Sequence, residues 1–394
     1  MPARSSKSPV RLMDTTLRDG EQTPDVAFSS EEKLKIAQHL LARVRIDRVE
    51  IGSALVSAGE RSMAERVATW ARDEGRLSQI EMLGFVDGER SIAWVRGTGV
   101  RRMNLLVKGS EQHCREQLGL TPEEHWAGIE ATLSAARRAE VEIAGVYLED
   151  WSRGIGNSPS YVGNLIAALQ SFGVSCVYLA DTLGVLNPEQ VLLFTRRTLR
   201  AFPHLQFEFH AHDDYGLATA NCLAAARAGV HGLHTTVNGL GERAGNACLA
   251  QVAVALRDHA GRATAVDEAE LCAASQLVAA ASGQAVAANA PLLGASAFTQ
   301  TAGIHADGDA KAGLYRSRLA PERFARRHEY ALGKLSGRAS LAHHLNALGL
   351  DPSAAERRAL LERVVALGDR KERVRGADLE RWLASVRDDA RERW

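Results

Sequence analysis

The stretch QFEFHAHDDYGLATANCLAAARAGVHGLHTTV, residues 206–237, decides how the chain folds. At its start Phe207 and Phe209 alternate with Glu208 and His210, the period-two pattern of a half-buried strand. An alanine-rich helical segment follows, and VHGLHTTV has the composition of a second strand. A strand, a helix and a strand in this order predict a parallel pair joined by a right-handed crossover.

The same alternation of strand and helix runs through most of the chain. The eight predicted strands cover residues 10–16, 47–53, 80–86, 101–107, 142–150, 175–181, 206–212 and 230–237. Helix starts are indicated by the capping-box spacings Ser29–Glu32 and Thr121–Glu124 and by Asn187–Pro188. Eight parallel strands predict an α/β fold, the (β/α)8 TIM barrel, with an open doubly wound sheet as the alternative.

The chain is expected to divide into a barrel and a smaller appendage. A flexible N-terminal tail of residues 1–9 should precede the catalytic barrel, residues 10–265. After the barrel come an alanine-rich helical stretch at 266–290 and a glycine-rich polar loop. We therefore expect residues 266–394 to form mostly helical linker and lid subdomains, without a C-terminal regulatory domain.

The composition excludes several classes of protein. Lys+Arg and Asp+Glu number 48 each, so no net charge favours binding to nucleic acid or to an anionic membrane. No apolar run approaches the ~20 residues of a membrane span. The five cysteines lack CxxC spacing, which argues against a disulfide framework or a zinc knuckle. A cytoplasmic protein is expected.

Four side chains at predicted strand ends can converge on a metal ion, because strand ends meet at the C-terminal face of a barrel. His210 and His212 share one face of their strand, and Asp19 follows the first strand beside the permanent cation Arg18. Asn246 lies in a glycine-rich loop after the eighth strand. Taken singly, these could be core histidines or ordinary turn residues. Together they predict an open site for Mn²⁺, Mg²⁺ or Zn²⁺.

Three motifs carry a resemblance to a known superfamily. DTTLRDGEQTP at 14–24, HAHDDYGLATAN at 210–221 and NGLGERAGNA at 238–247 resemble the signatures of the DRE-TIM metallolyases. Within that superfamily the chain is similar to the branch of 2-isopropylmalate, citramalate and homocitrate synthases. EMLGFVDG, NLLVKGS and AGIHADGDAKAGLY make it most similar to the (R)-citramalate synthases. The resemblance implies an acyltransferase of branched-chain amino-acid biosynthesis.

The reaction that the resemblance implies is a metal-assisted Claisen condensation of acetyl-CoA, the co-substrate, with a 2-oxoacid, followed by thioester hydrolysis. The residues that would take part are Asp19, His210 and His212 on the metal with Asn246 in or near its shell, Arg18 at the ketone oxyanion, Thr182 at the oxoacid carboxylate, and Glu149 with His305 as an acid/base pair. The resemblance also implies a homodimer whose C-terminal subdomain covers the partner's site.

The side chain of the oxoacid should meet an apolar wall. Leu83, Leu106 and Tyr147 fall where the citramalate-type enzymes place this wall. Such a wall disfavours 2-oxoglutarate, whose distal carboxylate would lose its hydration without a cation. Large side chains at all three positions favour pyruvate, giving (R)-citramalate. The alternatives are 2-oxoisovalerate, the substrate of a 2-isopropylmalate synthase, and then homocitrate synthesis.

Two other readings of the site stay open. A metal-dependent acyl-CoA lyase or aldolase would use the same metal ligands and arginine, and Cys248 lies near the last motif. A metal-binding barrel without catalytic activity is the second reading, but it would not need Arg18, Glu149 and His305. Because the chain ends where relatives enter a regulatory domain, we expect no feedback inhibition by leucine or isoleucine.

Overall fold

The computed structural model describes residues 9–372 and 374–391, so residues 1–8 of the predicted tail lie outside the described residues. Eight parallel strands close into a barrel in chain order, and β8 pairs with β1. The strands are β1 Arg11–Asp14, β2 Arg48–Ser53, β3 Ile80–Phe85, β4 Arg102–Lys108, β5 Glu142–Glu149, β6 Cys176–Asp181, β7 Gln206–Ala211 and β8 Gly232–Thr235. The predicted (β/α)8 barrel is confirmed, and the open sheet is wrong.

Helices separate the strands and continue beyond them. They are α1 Ser30–Gln38, α2 Ala58–Asp73, α3 Arg90–Gly97, α4 Pro122–Arg138, α5 Trp151–Asn157, α6 Pro159–Ser171, α7 Pro188–Ala201, α8 Ala218–Ala228, α9 Leu249–Ala255, α10 Leu271–Ser282, α11 Gly303–Ala312, α12 Arg338–Ala347, α13 Ala354–Asp369 and α14 Gly376–Arg391. Capping boxes at Ser29, Thr121 and Asn187 begin α1, α4 and α7, which confirms the predicted starts.

The two faces of the barrel strands differ in chemistry. Phe207 and Phe209 are fully buried, and the Phe209 ring meets Trp151 of α5 edge-on at 6.5 Å between centroids. Glu208 and His210, on the alternate face of β7, are bonded to other side chains of the barrel interior. The apolar face of β7 therefore packs under the helices, and its polar face contributes the hydrogen-bonding side chains of the barrel interior.

The chain forms two compact units, Met1–Val286 and Ala287–Trp394. The sequence placed this boundary at residue 266, but α10 stays with the barrel. Asn238 donates from Nδ2 to the Ser275 carbonyl at 3.0 Å, and the Ser275 hydroxyl donates to Asn238 Oδ1 at 2.6 Å. The helical stretch predicted over 266–290 is shorter, since α10 ends at Ser282.

The second unit is mostly helical, as expected, and has its own core. Leu345, Leu360 and Leu379 are fully buried where α12, α13 and α14 pack together. The unit also contains a parallel ladder of two-residue strands, β9 Thr299–Gln300 and β10 Glu329–Tyr330. Among the described residues no helix is both long and apolar enough to cross a membrane.

Replacing Phe207 with alanine should lower the free energy of unfolding of the barrel by about 3–5 kcal/mol, because a buried ring leaves a cavity. Urea unfolding followed by tryptophan fluorescence measures the change. Phe207→Leu is the matched control and should cost less than about 1.5 kcal/mol. A loss below about 1 kcal/mol for Phe207→Ala would contradict the placement of this ring in the core.

Candidate metal centre and active site

Three side chains meet at the C-terminal end of the barrel. Asp19 caps a short 3-10 turn after β1, while His210 and His212 lie at and just beyond the end of β7. His210 Nε2 is 3.3 Å from Asp19 Oδ2 and 3.3 Å from His212 Nε2. One ligand atom from each residue lies within 4.8 Å of the others, and all three residues are buried. The grouping predicted from sequence is therefore present and can hold a metal ion.

The protonation states of these groups suit a cation. Burial opposes ionisation of Asp19, but Arg18 and the two imidazoles outweigh it and hold the pKa of Asp19 well below its usual range. Burial lowers the pKa of His212 to about 4, and it lowers the pKa of His210 as well. At neutral pH the group therefore consists of a carboxylate and two neutral imidazoles, the forms that ligate metals.

Unsatisfied atoms around the group give a test of whether a metal fits. Asp19 Oδ1 and Asn246 Oδ1 are buried and have no hydrogen-bond partner. Asn246 donates from Nδ2 to the Leu240 carbonyl at 3.0 Å, so its oxygen is the atom left over. The backbone of Asn246 also bridges to His212. Buried polar groups normally find partners. A cation among these oxygens and imidazoles would satisfy them, so the residues fit the metal.

Arg18 lies beside the group and is held from three sides. Its Nη1 is 3.1 Å from Asp19 Oδ2, its Nε donates to Glu50 Oε2 at 2.6 Å, and its Nη2 donates to the Tyr147 hydroxyl at 3.4 Å. Glu50 was not among the residues predicted from the sequence motifs. A charged residue between apolar neighbours in RVEIGS was the signal that could have indicated it.

The predicted apolar wall is also part of this interior. Leu83 and Tyr147 belong to one buried cluster with Met13, and Leu106 and Phe85 pack against it. Leu106 and Tyr147 are register partners on β4 and β5, and the Tyr147 ring meets the His210 ring edge-on at 5.8 Å. Tyr147 thus links this wall to Arg18 and to His210.

Thr182 is prepared to act as a donor. Its hydroxyl oxygen accepts the Asp150 backbone N–H at 2.8 Å, so the hydroxyl hydrogen stays available. Arg243, from the NGLGERAGNA loop, donates to the Thr182 carbonyl at 2.7 Å and forms two bonds to Asp214, at 2.8 and 3.0 Å. Arg243, which the sequence analysis did not single out, ties together the loops after β6, β7 and β8.

The two predicted acid/base residues lie in different units. Glu149 ends β5, and its carboxylate contacts the ammonium of Lys108 at the end of β4. His305 lies in α11 of the second unit, where its ring is 4.2 Å from the Tyr315 ring. The barrel by itself therefore holds Glu149 but not His305, and the pairing of the two stays a prediction.

Two family models match the chain, and several proteins of known name are similar to it. Residues 9–278 match the HMGL-like family, and residues 292–372 match the homocitrate synthase post-HMGL domain-like family. A protein of Methanopyrus kandleri named as a candidate (R)-citramalate synthase is 35% identical over 94% of this chain and 71% of its own length. A homocitrate synthase of the same organism is 33% identical, over 96% of this chain and 92% of its own length. A 2-isopropylmalate synthase of Lactococcus lactis is 31% identical, over 94% of this chain and 72% of its own length.

Solved structures agree on the fold. The hydroxymethylglutaryl-CoA lyase of Pseudomonas aeruginosa superimposes with a TM-score of 0.60 at 22% identity, covering 71% of this chain and 95% of that one. At this identity the likeness concerns the fold alone. The family match, the relatives and the three motifs agree, and the chain belongs to the HMGL-like family of DRE-TIM barrels.

Proposed function

We propose that this protein condenses acetyl-CoA with a short apolar 2-oxoacid, favouring pyruvate and so forming (R)-citramalate. One observation carries the proposal: a buried metal-binding group, a fixed arginine and an apolar wall share the interior of one barrel. Relatives named for citramalate, 2-isopropylmalate and homocitrate synthesis support it, since each name denotes the product of such a condensation.

The residues beside the apolar wall would bind and activate the ketone. Asp19, His210 and His212 would hold a divalent ion, Mn²⁺, Mg²⁺ or Zn²⁺, with Asn246 in or near its shell. Bound there, the ion would act as a Lewis acid that polarises the ketone oxygen. Arg18, oriented by Glu50, would donate to the same oxygen as negative charge develops on it.

The remaining steps would use residues at the ends of β5 and β6. Thr182 would donate its free hydroxyl hydrogen to the oxoacid carboxylate. Glu149 would remove a proton from the acetyl methyl, with His305 as its acid/base partner. The methyl carbon then bonds to the ketone carbon. Water hydrolyses the thioester, so that hydroxide adds to the acyl carbon and the sulfur leaves as the thiol of CoA.

The wall argues for a small oxoacid. Leu83, Leu106 and Tyr147 are large, and Leu83 and Tyr147 are almost fully buried. Each added methyl changes binding in such a pocket by about 1–3 kcal/mol. The alternative is a 2-isopropylmalate synthase acting on 2-oxoisovalerate, then a homocitrate synthase. A metal-dependent acyl-CoA lyase or aldolase is the weaker alternative.

We also propose that the enzyme is a homodimer whose second unit covers the partner's barrel. The position of His305 in the second unit supports a shared site. All five cysteines are free thiols, which suits a reducing cytoplasm, where the enzyme would serve branched-chain amino-acid biosynthesis.

The metal site is tested by titrating the metal-free protein with Mn²⁺ in a calorimeter. His212→Ala should weaken binding by at least about 10–100-fold, since losing a ligand costs at least as much as losing a residue that supports one. His231→Ala is the control, because this exposed histidine accepts the Phe207 N–H at its Nδ1 at 3.1 Å, outside the site. If His212→Ala and His231→Ala bind Mn²⁺ with equal affinity, His212 is not a ligand and the proposed metal centre is wrong.

The oxoacid is identified by measuring acetyl-CoA-dependent thiol release with pyruvate, 2-oxobutyrate, 2-oxoisovalerate and 2-oxoglutarate. We expect kcat/KM for pyruvate to exceed that for 2-oxoisovalerate by roughly tenfold or more, with 2-oxoglutarate the poorest. Preference for 2-oxoisovalerate would instead identify a 2-isopropylmalate synthase. Thiol release with none of the four would rule out the condensation and favour the lyase alternative.

Shared sites are tested by mixing two inactive variants. Asp19→Ala and His305→Ala, unfolded and refolded together, should regain roughly a quarter of wild-type turnover, because half of the dimers then carry one intact site. Asp19→Ala mixed with His210→Ala should regain none, since both changes lie in the barrel. If the first mixture also stays inactive although both variants refold as dimers, each copy builds its site alone.

A further inference from the structure

A lysine that the proposed steps do not use touches the proposed base. Lys108 and Glu149 are register partners at the ends of β4 and β5, and the ammonium contacts the carboxylate. The Lys108 side chain is 12% exposed and the Glu149 side chain 23%, so a ligand in the barrel mouth can reach both. This pair is the top layer of the barrel interior on these two strands.

The layer beneath this pair is the apolar wall. Leu106 and Tyr147 are also register partners, two residues before Lys108 and Glu149 on the same strands. Alternate residues of a strand face the same way and are about 6–7 Å apart. Arg18 reaches the Tyr147 hydroxyl from the side of the metal group. An oxoacid against the lower pair would therefore lie one layer below an acetyl group between Lys108 and Glu149.

The backbone of Lys108 is fixed by buried side chains. Tyr161 donates its hydroxyl to the Lys108 carbonyl at 2.9 Å and is 3.0 Å from His125 Nδ1. Because the hydroxyl donates to Lys108, His125 donates from Nδ1, which leaves Nε2 to accept the Lys108 N–H at 3.5 Å. Burial lowers the pKa of His125 to about 4, consistent with this neutral ring. Two buried residues thus hold the strand end at Lys108.

We propose that Lys108 is a catalytic residue whose ammonium donates a hydrogen bond to the carbonyl oxygen of the acetyl thioester while Glu149 removes the methyl proton. This inference rests on the proposed function. The methyl C–H bond breaks, its proton goes to Glu149, and its electron pair moves into the enolate, whose oxygen carries the charge beside Lys108. When the enolate carbon bonds to the ketone carbon, the thioester carbonyl reforms and leaves Lys108 with a neutral acceptor.

The ion pair also places both groups before the thioester binds. The Lys108 ammonium and the Glu149 carboxylate are in contact at the ends of β4 and β5. When the Lys108 ammonium donates to the thioester carbonyl instead, it leaves the Glu149 carboxylate, which is then unpaired beside the methyl group. The same charge then stabilises the enolate. Removing one oxyanion donor typically lowers kcat about 10²–10³-fold.

The test compares Lys108→Met and Lys108→Arg with the wild-type enzyme. Lys108→Met should lower kcat about 10²–10³-fold with the KM for pyruvate almost unchanged, and Lys108→Arg should recover at least part of the loss. Lys35→Met, which removes a surface pair with Glu31, is the control and should be neutral. Thermal unfolding verifies folding, and Lys108→Gln replaces Lys108→Met if methionine prevents it.

A binding measurement separates catalysis from support of Glu149. In S-carboxymethyl-CoA the carbon on sulfur is a CH2 group and a carboxylate replaces the acetyl methyl, so its negative charge lies one bond farther from sulfur than that of the enolate. Lys108→Met should bind this compound at least about tenfold more weakly than the wild type, with the affinity for CoA itself unchanged. Equal losses for both compounds, or a kcat within about threefold of wild type, would overturn the role of Lys108. If the wild type itself releases no thiol with any oxoacid, the proposed function fails first.

Discussion

The site depends on one buried anion. Asp19 is 1% exposed, and an isolated carboxylate at such a position would be strongly destabilising. Arg18 and a hydrogen bond from His210 offset that penalty, so the carboxylate stays charged. The arrangement brings together residues from the first and seventh strand ends, which are near each other because the barrel closes through the β1–β8 pair. Asp19 Oδ1 has no hydrogen-bond partner, and this is the oxygen that a cation would bind.

A chain of buried polar groups continues from Arg18 towards the other end of the barrel. Glu50 accepts from Arg18 and from Asn104, and Asn104 also donates to Glu81. Arg48 donates from Nη1 to Glu81 Oε1 at 3.1 Å, and its Nη2 forms an ion pair with Glu208. Removing one member would leave a buried charge unpaired, a loss of about 3–5 kcal/mol. The interior therefore acts as a rigid support that fixes the direction of the Arg18 guanidinium before substrate binds.

Local patterns in the sequence predicted the barrel and the grouping of Asp19, His210 and His212. Period-two alternation in QFEFHAH fixed which side of β7 faces the interior, and cap residues fixed helix starts. Residues whose roles depend on pairing between strands were missed, as Glu50 and Lys108 illustrate: their partners lie 32 and 41 positions away along the chain. Arg243 was missed because loop contacts have no periodicity. The first compact unit runs to Val286, past the predicted barrel end at residue 265, and α10 within it is hydrogen-bonded to Asn238.

Above all, we propose that Asp19, just after β1, and His210 and His212, at the end of β7, hold one metal ion. A crystal of the protein grown with manganese, with anomalous diffraction recorded at the manganese edge, tests this most directly. The account predicts one strong peak within about 2.0–2.3 Å of a carboxylate oxygen of Asp19 and of an imidazole nitrogen of both His210 and His212. A map with those three side chains ordered and no peak among them would contradict it.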